Sequence, residues 1–502
     1  MKTKKIAVLL LTLVLTMVLS PMSVFAAKID VVEGSTASIT VENAVENDEL
    51  AAYKIIDITY NATTNNLTYA WNSNFANYFK NTTIEDFAAM ETDSANLKNL
   101  LAGLPKFIAD NSIKATSTAK ADDTKTATFS NLEMGEYFIR PTTTTSVYQL
   151  MLQKVEPTVN SETKKYEIDD VTFNAKHKEA TIEKTADKTS VTKGEKVKYT
   201  ITVDIPTYGA EAIDKSFYVS DLLPDGLTLD TKSISAVIKD TESSTTSTTV
   251  ETADYLDTNA VANTYTFKFS VNKTQYIASW SDKGGKKLII TYSAKFNDDN
   301  TTEVNVKETN TATFNYSNYP YVSGSNEEKT SKVEVNTFAI KIDKHVTGDE
   351  SKKLANAKFD LYRTATQAEI NAGTASDITY NNATVKAILL ENGSLTDENG
   401  VATFEKYEAN GTNYDYYLVE TKAPAGYNIL GEAVKVNFTD ADVEATHGIY
   451  TVEVENSSGL TLPITGGEGI VFFSVIGIVF MGGAVFLFVI SRKKKSKENC
   501  KK

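Results

Sequence analysis

Period-two alternation of apolar and polar residues runs through most of this chain and commits it to half-buried strands. Lys198–Val203 (KYTITV), Tyr265–Val271 (YTFKFSV) and Lys287–Tyr292 (KLIITY) each place one set of side chains on a core face and the other in solvent. Thr, Val, Tyr, Phe and Ile, which suit a pleated surface, are abundant. Clusters of Asn, Asp and Gly, such as Asn297–Asn300 and Asp397–Gly400, punctuate the strands at the spacing of a sandwich. Helical spacing is confined mainly to Ile84–Ala109. The expected fold class is all-β, a tandem series of immunoglobulin-like sandwiches.

The two ends follow other rules. Lys2, Lys4 and Lys5 precede an apolar stretch from Ile6 to Leu19 and small residues up to Ala26, the pattern of a secretory signal peptide cut after Ala26. Near the other end, Ile470–Ile490 carries no charge and has about the roughly 20 residues a membrane-crossing helix needs. Arg492, Lys493, Lys494, Lys495 and Lys497 follow and hold the tail on the cytoplasmic side. The chain between is exported. Its net charge of −14 becomes more negative once the basic ends are removed, which argues against nucleic acid as a partner. The single cysteine, Cys500, lies in the cytoplasmic tail, so the exported part has no disulfide to stiffen it. Three histidines (His177, His345, His447) without a Cys or His cluster give no metal or cofactor signature and no hydrolase constellation. Any covalent stiffening must come from another chemistry.

Leu462-Pro463-Ile464-Thr465-Gly466, just before the apolar run, resembles the LPXTG sorting signal of Gram-positive surface proteins. The resemblance implies cleavage between Thr465 and Gly466 by sortase, a membrane transpeptidase, and covalent attachment through Thr465. Further resemblances lie inside. Tyr416–Tyr427 (YYLVETKAPAGY) is a complete "E-box", YxLxETxAPxGY, and resembles the B-type domains first described in a collagen-binding adhesin. In that family a strand Lys and a last-strand Asn condense into an isopeptide bond with the E-box Glu as catalyst, which implies Lys341, Asn456 and Glu420 here. Burial lowers a lysine pKa and frees its lone pair, and it raises a carboxyl pKa so that the acid can polarise the amide. Strand parity points to a rival, Lys344, which shares the face of Ile340 and Ile342, whereas Lys341 does not.

Asp221, in Tyr218–Thr228 (YVSDLLPDGLT), and Asn310, before Thr311–Asn318 (TATFNYSN), resemble segments of A-type pilin domains. With Lys184 they imply a second set, Lys184–Asp221–Asn310, with Asn315 as the alternative acceptor. Leu50–Asp57 and Gly135–Ile139 resemble parts of N-terminal pilin domains, and they suggest a third bond from Lys54 to Asn174 helped by Glu136. Asp170–Lys178 (DVTFNAKHK) resembles the pilin motif, whose lysine attacks the sortase thioester of the next subunit. It keeps the strand and the lysine, but Asn-Ala stands where the family has Tyr-Pro. The resemblance implies Lys176 as the linking residue, with Lys178 as the alternative.

The expected organisation is a signal peptide at 1–26, an N-terminal pilin domain at 27–175, a middle isopeptide-forming sandwich at 176–336, a C-terminal B-type domain at 337–458 and the sorting region at 459–502. The resemblance implies the structural shaft subunit of a covalent, sortase-polymerised pilus attached to the cell wall. The resemblance implies no enzyme activity on an external substrate. Its implied partners are sortase, identical subunits joined head to tail, minor pilins, peptidoglycan and host surface proteins. A wall-anchored monomeric adhesin or minor pilin is the alternative.

Overall fold

The computed structural model describes residues 29–91, 94–297, 306–409, 414–436 and 448–458, together with 480, 481, 483 and 484. The expected signal peptide, the sorting pentapeptide and all but those four residues of the apolar run lie outside the described residues. Among the described residues no helix is long and apolar enough to cross a membrane. The chain forms two compact units, Met1–Thr301 with Lys307–Asn336, and Thr302–Val306 with Thr337–Lys502. Both are built of β-sandwiches.

In the first unit, one sheet runs Asn66–Trp71, Glu49–Asn61, Gly135–Thr143 and Met151–Val155, with Ser117–Lys120 also paired to Glu49–Asn61. A second sheet places Thr36–Glu42 between Val171–Asn174, which runs parallel to it, and Ala127–Glu133. The stretch with helical spacing forms Ile84–Ala88, Ala95–Ala102 and Leu104–Asp110. Thr83 and Ser94 cap the first two by accepting from the backbone N–H of Asp86 and Leu97. Pro105 sits in the opening turn of the third, where a missing N–H costs no helical bond. Leu97, Leu101, Leu104 and Ile108 turn inward from these helices.

Farther along the same unit, a five-stranded sheet (Ile182–Ala186, Lys196–Asp204, Lys287–Phe296, Leu227–Lys239, Thr248–Val250) belongs with another (Leu256–Asp257, Phe267–Val271, Phe217–Leu222, Lys307–Ser317, Asn326–Asn336). Alternation is kept, and Val197, Tyr199 and Ile201 are buried while Lys196 and Lys198 are exposed. The two parts of the unit are stitched together. His177–Glu179 pairs antiparallel with Ser146–Tyr148, the Tyr316 hydroxyl donates to the Thr145 carbonyl, and Asn318 Nδ2 donates to the Thr144 carbonyl at 2.7 Å.

In the second unit, the strand Phe338–Val346 lies between Val401–Tyr407 and the last strand, Ile449–Asn456, which runs parallel to it. The other sheet has the order Ser376–Tyr380, Ala383–Leu395, Lys358–Thr364, Tyr416–Lys422 and Val434–Val436. Ile340, Ile342, Phe359, Leu361, Phe404 and Leu418 are fully buried and make its core. The turn Asp397–Gly400 presses on the first strand: the Gly400 carbonyl accepts from the Lys344 N–H at 2.8 Å. Gly400 has φ +75°, and a Cβ there would sit 2.3 Å from the Lys344 carbonyl oxygen, so only glycine fits.

Asn318→Ala strips one bond from the joint in the first unit and leaves the Thr144 carbonyl without that donor. It should destabilise the unit by about 1–2 kcal/mol and separate its calorimetric unfolding into two transitions. An unaltered single transition would show that the joint does not depend on this side chain.

Candidate functional site

In the middle sandwich, Lys184 is the only buried residue of the strand Ile182–Ala186, facing the core between two outward neighbours. Asp221, on Phe217–Leu222, pairs in register with Ala312 of the strand that carries Asn310. Alternation along Lys307–Ser317 turns Asn310, Ala312, Phe314 and Tyr316 inward. Asn315 has the opposite parity and donates to the Glu328 carboxylate at 3.1 Å, so it is not the core acceptor. Lys184 and Asp221 form an ion pair whose side chains are both 0% exposed. Tyr292 completes the group: Lys184 Nζ donates to its hydroxyl at 2.5 Å, Asn310 Nδ2 donates to it at 2.8 Å, and the hydroxyl donates to Asp221 Oδ1 at 2.8 Å. The Asn310 Oδ1 has no hydrogen-bond partner. Burial lowers the Lys184 pKa and raises that of Asp221, each against their mutual attraction. Both shifts favour the neutral amine facing a protonated acid.

In the second unit the structure corrects the lysine. Lys344, not Lys341, faces the core with Glu420 and Asn456. Lys344 is 0% exposed, whereas Lys341 is half-buried on the opposite face of the strand beside Asp397. The cause is the two-residue period of the strand: Ile340, Ile342 and residue 344 share one face. Lys344 Nζ donates to the Val454 carbonyl at 3.0 Å, and burial pushes its pKa down to about 8 against the attraction of Glu420. Asn456 Nδ2 donates to Glu420 Oε1 and Oε2 at 3.1 and 3.0 Å and to the Asn428 carbonyl at 2.7 Å, while its Oδ1 has no partner. The E-box positions the acid: Glu420 is the last buried residue of Tyr416–Lys422, and its Oε2 also accepts from the Leu430 N–H at 2.9 Å.

The third set is not assembled. Lys54 Nζ bonds Glu133 at 2.6 Å and Asp57 at 3.1 Å. Partial burial would lower its pKa, but these two carboxylates overcome that and hold it raised. Glu136 instead lies 3.7 Å from Lys154, and burial pushes its pKa up to about 7. Asn174 is exposed on a different sheet, paired beside Glu42. The register of Gly135–Thr143 puts Tyr137, not Glu136, opposite Lys54.

Lys176 occupies the two-residue link between Val171–Asn174 and His177–Glu179, and its side chain is exposed. Its backbone is pinned: the Lys176 carbonyl accepts from the Gln149 N–H at 2.8 Å, and the Ala175 N–H donates to the Glu42 carbonyl at 2.7 Å. Lys178 is exposed as well, on the paired strand. Sequence reasoning missed Tyr292. Its signal is a tyrosine at an inward position of Lys287–Phe296 among Leu288 and Ile290, where a buried hydroxyl needs a partner. Among the described residues no group of His, Cys, Asp and Glu is arranged to hold a metal ion.

Comparison with known proteins adds three findings. Residues 338–456 match the SpaA family, a prealbumin-like fold domain, and residues 455–497 match the LPXTG cell wall anchor motif. A 90-residue stretch is 34% identical to a fimbrial subunit type 1 from Actinomyces viscosus; it spans 17% of this chain and 17% of that protein. The fold is similar to that of the full-length major pilin SpaD of Corynebacterium diphtheriae, with 18% identity, TM-score 0.50 and coverage of 86% of this chain and 99% of that one. It is also similar to the T6 backbone pilin of serotype M6 Streptococcus pyogenes, with 20% identity, TM-score 0.51 and coverage of 80% of each. At these identities the structural likeness is one of fold: pilin-like tandem β-sandwiches.

A depressed lysine pKa also makes a stability prediction. In Asn456→Ala, Lys344 stays a free amine whose folded pKa, about 8, lies below its ordinary 10.5. The folded state then binds the proton less tightly than the unfolded state. Its stabilising contribution is complete above the unfolded pKa and is lost as pH falls toward the folded one. Denaturant titrations of Asn456→Ala should show stability rising by up to about 3 kcal/mol from pH 8 to above 10 relative to a variant that also carries Lys344→Met. Parallel curves would show that Lys344 is not held in a dry site.

Proposed function

We propose that this chain is the structural shaft subunit of a covalent, sortase-polymerised pilus, stiffened by intramolecular lysine–asparagine bonds. The observation that carries the reading is the repeated set of buried amine, acid and carboxamide, Lys184–Asp221–Asn310 and Lys344–Glu420–Asn456. The anchor motif at the C-terminus and the major-pilin fold support it. In each set the amine nitrogen attacks the side-chain carbonyl carbon of the asparagine, a C–N bond forms, and ammonia leaves. The acid beside the amide moves the protons. The chain thus acts once on itself and serves as a substrate of sortase, with no external substrate of its own. The working division is an N-terminal domain at 27–175, a middle one at 176–336 and a C-terminal one at 337–458.

Polymerisation then joins Thr465 of one subunit to Lys176 of the next. That contact is heterologous and does not close, so it makes a fibre. Peptidoglycan receives the base of the polymer. Minor pilins and host surface proteins are its further partners.

Mass spectrometry of the full-length protein should find the sequence mass reduced by one ammonia for each bond. Glu420→Ala and Lys344→Met should each restore one ammonia, whereas Lys341→Met should leave the deficit unchanged. A bond from Lys344 to Asn456 closes a loop of over roughly 100 residues, worth on the order of 4–5 kcal/mol in a chain-entropy account. Loss of the bond should therefore lower the melting temperature of the second unit. A mass equal to the sequence value would end the cross-linking reading.

Assembly separates a shaft from a monomeric adhesin. Lys176→Arg keeps the charge but removes the acylable amine. Protein released from cell walls should change from a detergent-resistant ladder to a single wall-attached band. A ladder that persists in Lys176→Arg and disappears in Lys178→Arg would move the linkage by two residues. A single band from the unaltered protein would favour the adhesin.

A further inference from the structure

The middle and C-terminal sets differ in how the acid reaches the amide. In the second unit Asn456 Nδ2 donates directly to both oxygens of Glu420, at 3.1 and 3.0 Å. In the middle sandwich the acid is Asp221, one methylene shorter, and among the described residues no hydrogen bond joins it to Asn310. Tyr292 stands in the gap. One phenol oxygen touches the nucleophile Lys184 Nζ at 2.5 Å, the leaving nitrogen Asn310 Nδ2 at 2.8 Å and the acid Asp221 Oδ1 at 2.8 Å. The ring is held for this task. It stacks on Tyr199 with centroids 5.3 Å apart at 22° and meets Phe267 edge-on at 5.0 Å. The side chains of both charged partners are 0% exposed, so the site has no opening to bulk solvent at the amine or the acid.

We propose that Tyr292 is a catalytic residue of the Lys184–Asn310 condensation, the relay that carries a proton from Asp221 to the departing nitrogen. This rests on the cross-linking reading of the middle sandwich. The neutral Lys184 amine attacks Asn310 Cγ, forming the new C–N bond. The excess proton on Nζ passes to Asp221 Oδ2, which the amine already contacts. With the acid protonated, the bond between the Tyr292 hydroxyl and Asp221 Oδ1 reverses its direction: the proton on Oδ1 moves to the Tyr292 oxygen as the Tyr292 proton moves to Nδ2, which in the tetrahedral adduct is an amine with a lone pair to accept it. The C–Nδ2 bond then breaks and ammonia leaves. Asp221 ends with its proton on the other oxygen, Tyr292 ends as a neutral phenol, and one amine and one carboxamide have become a secondary amide and ammonia. No outside reactant is needed. Glu420 spans the corresponding distance itself, so the second site requires no tyrosine.

Tyr292→Phe keeps the ring and removes the relay. In a pulse-chase of the full-length protein, proteolysis and mass spectrometry should recover the peptides bearing Lys184 and Asn310 joined in the unaltered chain. In Tyr292→Phe that species should form about 10²-fold more slowly or not at all, while the Lys344–Asn456 species forms at the unaltered rate. Joining of Lys184 to Asn310 at the unaltered rate in Tyr292→Phe would overturn the relay and leave the cross-linking reading intact. Free Lys184 and Asn310 in the unaltered chain would overturn both. If Tyr292→Phe melts below Asp221→Ala, which also lacks the bond, the hydroxyl has a structural share, and a second probe decides. A fluorinated tyrosine at position 292 keeps the shape but has a more acidic hydroxyl. The relay then requires a displaced pH–rate profile for the Lys184–Asn310 bond, and an unmoved profile would overturn it.

Discussion

An amine without water is the constraint on which the rest of this structure depends. A lysine ammonium in a sandwich core carries a desolvation cost that a single ion pair does not reliably offset. The fold meets it twice in the same way, by facing a first-strand lysine with an acid and a carboxamide from other strands. Burial drives the Lys184 and Lys344 pKa values down. It thereby converts a poor nucleophile into one with an available lone pair. The apolar residues around each site, Tyr199 and Phe267 in one, Ile340, Ile342 and Leu418 in the other, are the condition for that chemistry as well as the core of the fold.

The placement on strands has a mechanical consequence. In the second unit the first and last strands are parallel neighbours, with Val346 in register with Asn456. Tension applied at the two ends of such a unit is borne by backbone hydrogen bonds between these two strands. A covalent tie between Lys344 and Asn456 closes the unit at that seam and relieves those hydrogen bonds. An exported chain whose single cysteine is Cys500 has no disulfide for the task, and the amide is the tie that its composition permits.

Most of the strands and the helical stretch were legible because period two and period 3.6 are written in the apolar positions themselves. The acids and asparagines of the two assembled sets were legible because the segments around Glu420 and Asp221 carry resemblances beyond the single residue. The lysine of the second set was decided by parity rather than by motif: Lys341 sits nearest the expected position, but Ile340 and Ile342 fix which face is dry, and Lys344 shares it. The Lys54 set failed for a reason that no local pattern contains. Its neighbours Glu133 and Asp57 capture the amine, and the register of Gly135–Thr143 turns Glu136 toward Lys154. Cross-strand register is a long-range property, and a motif read along one strand does not report it. Tyr292 was hidden differently, since a tyrosine in an alternating strand reads as ordinary core until its hydroxyl partners are known.

The lysines of this chain therefore divide by solvent, and their solvent assigns their chemistry. Lys184 and Lys344 are buried and face an acid beside an amide, the conditions for the self-condensation proposed above. Lys54 is nearly as enclosed, with 11% of its side chain exposed, but two carboxylates hold it as the ammonium and no carboxamide is opposite. Burial alone is thus insufficient, and the charge balance around the amine decides. Lys176 has the reverse arrangement, with its carbonyl held by the Gln149 N–H, the preceding Ala175 N–H held by the Glu42 carbonyl, and an exposed side chain. The linking role proposed for Lys176 needs that accessibility, and a rigid backbone beneath the amine limits the positions it samples. The same residue type thus serves inside the sandwiches and at their surface, separated by nothing more than which face of a strand, or which turn between strands, presents it.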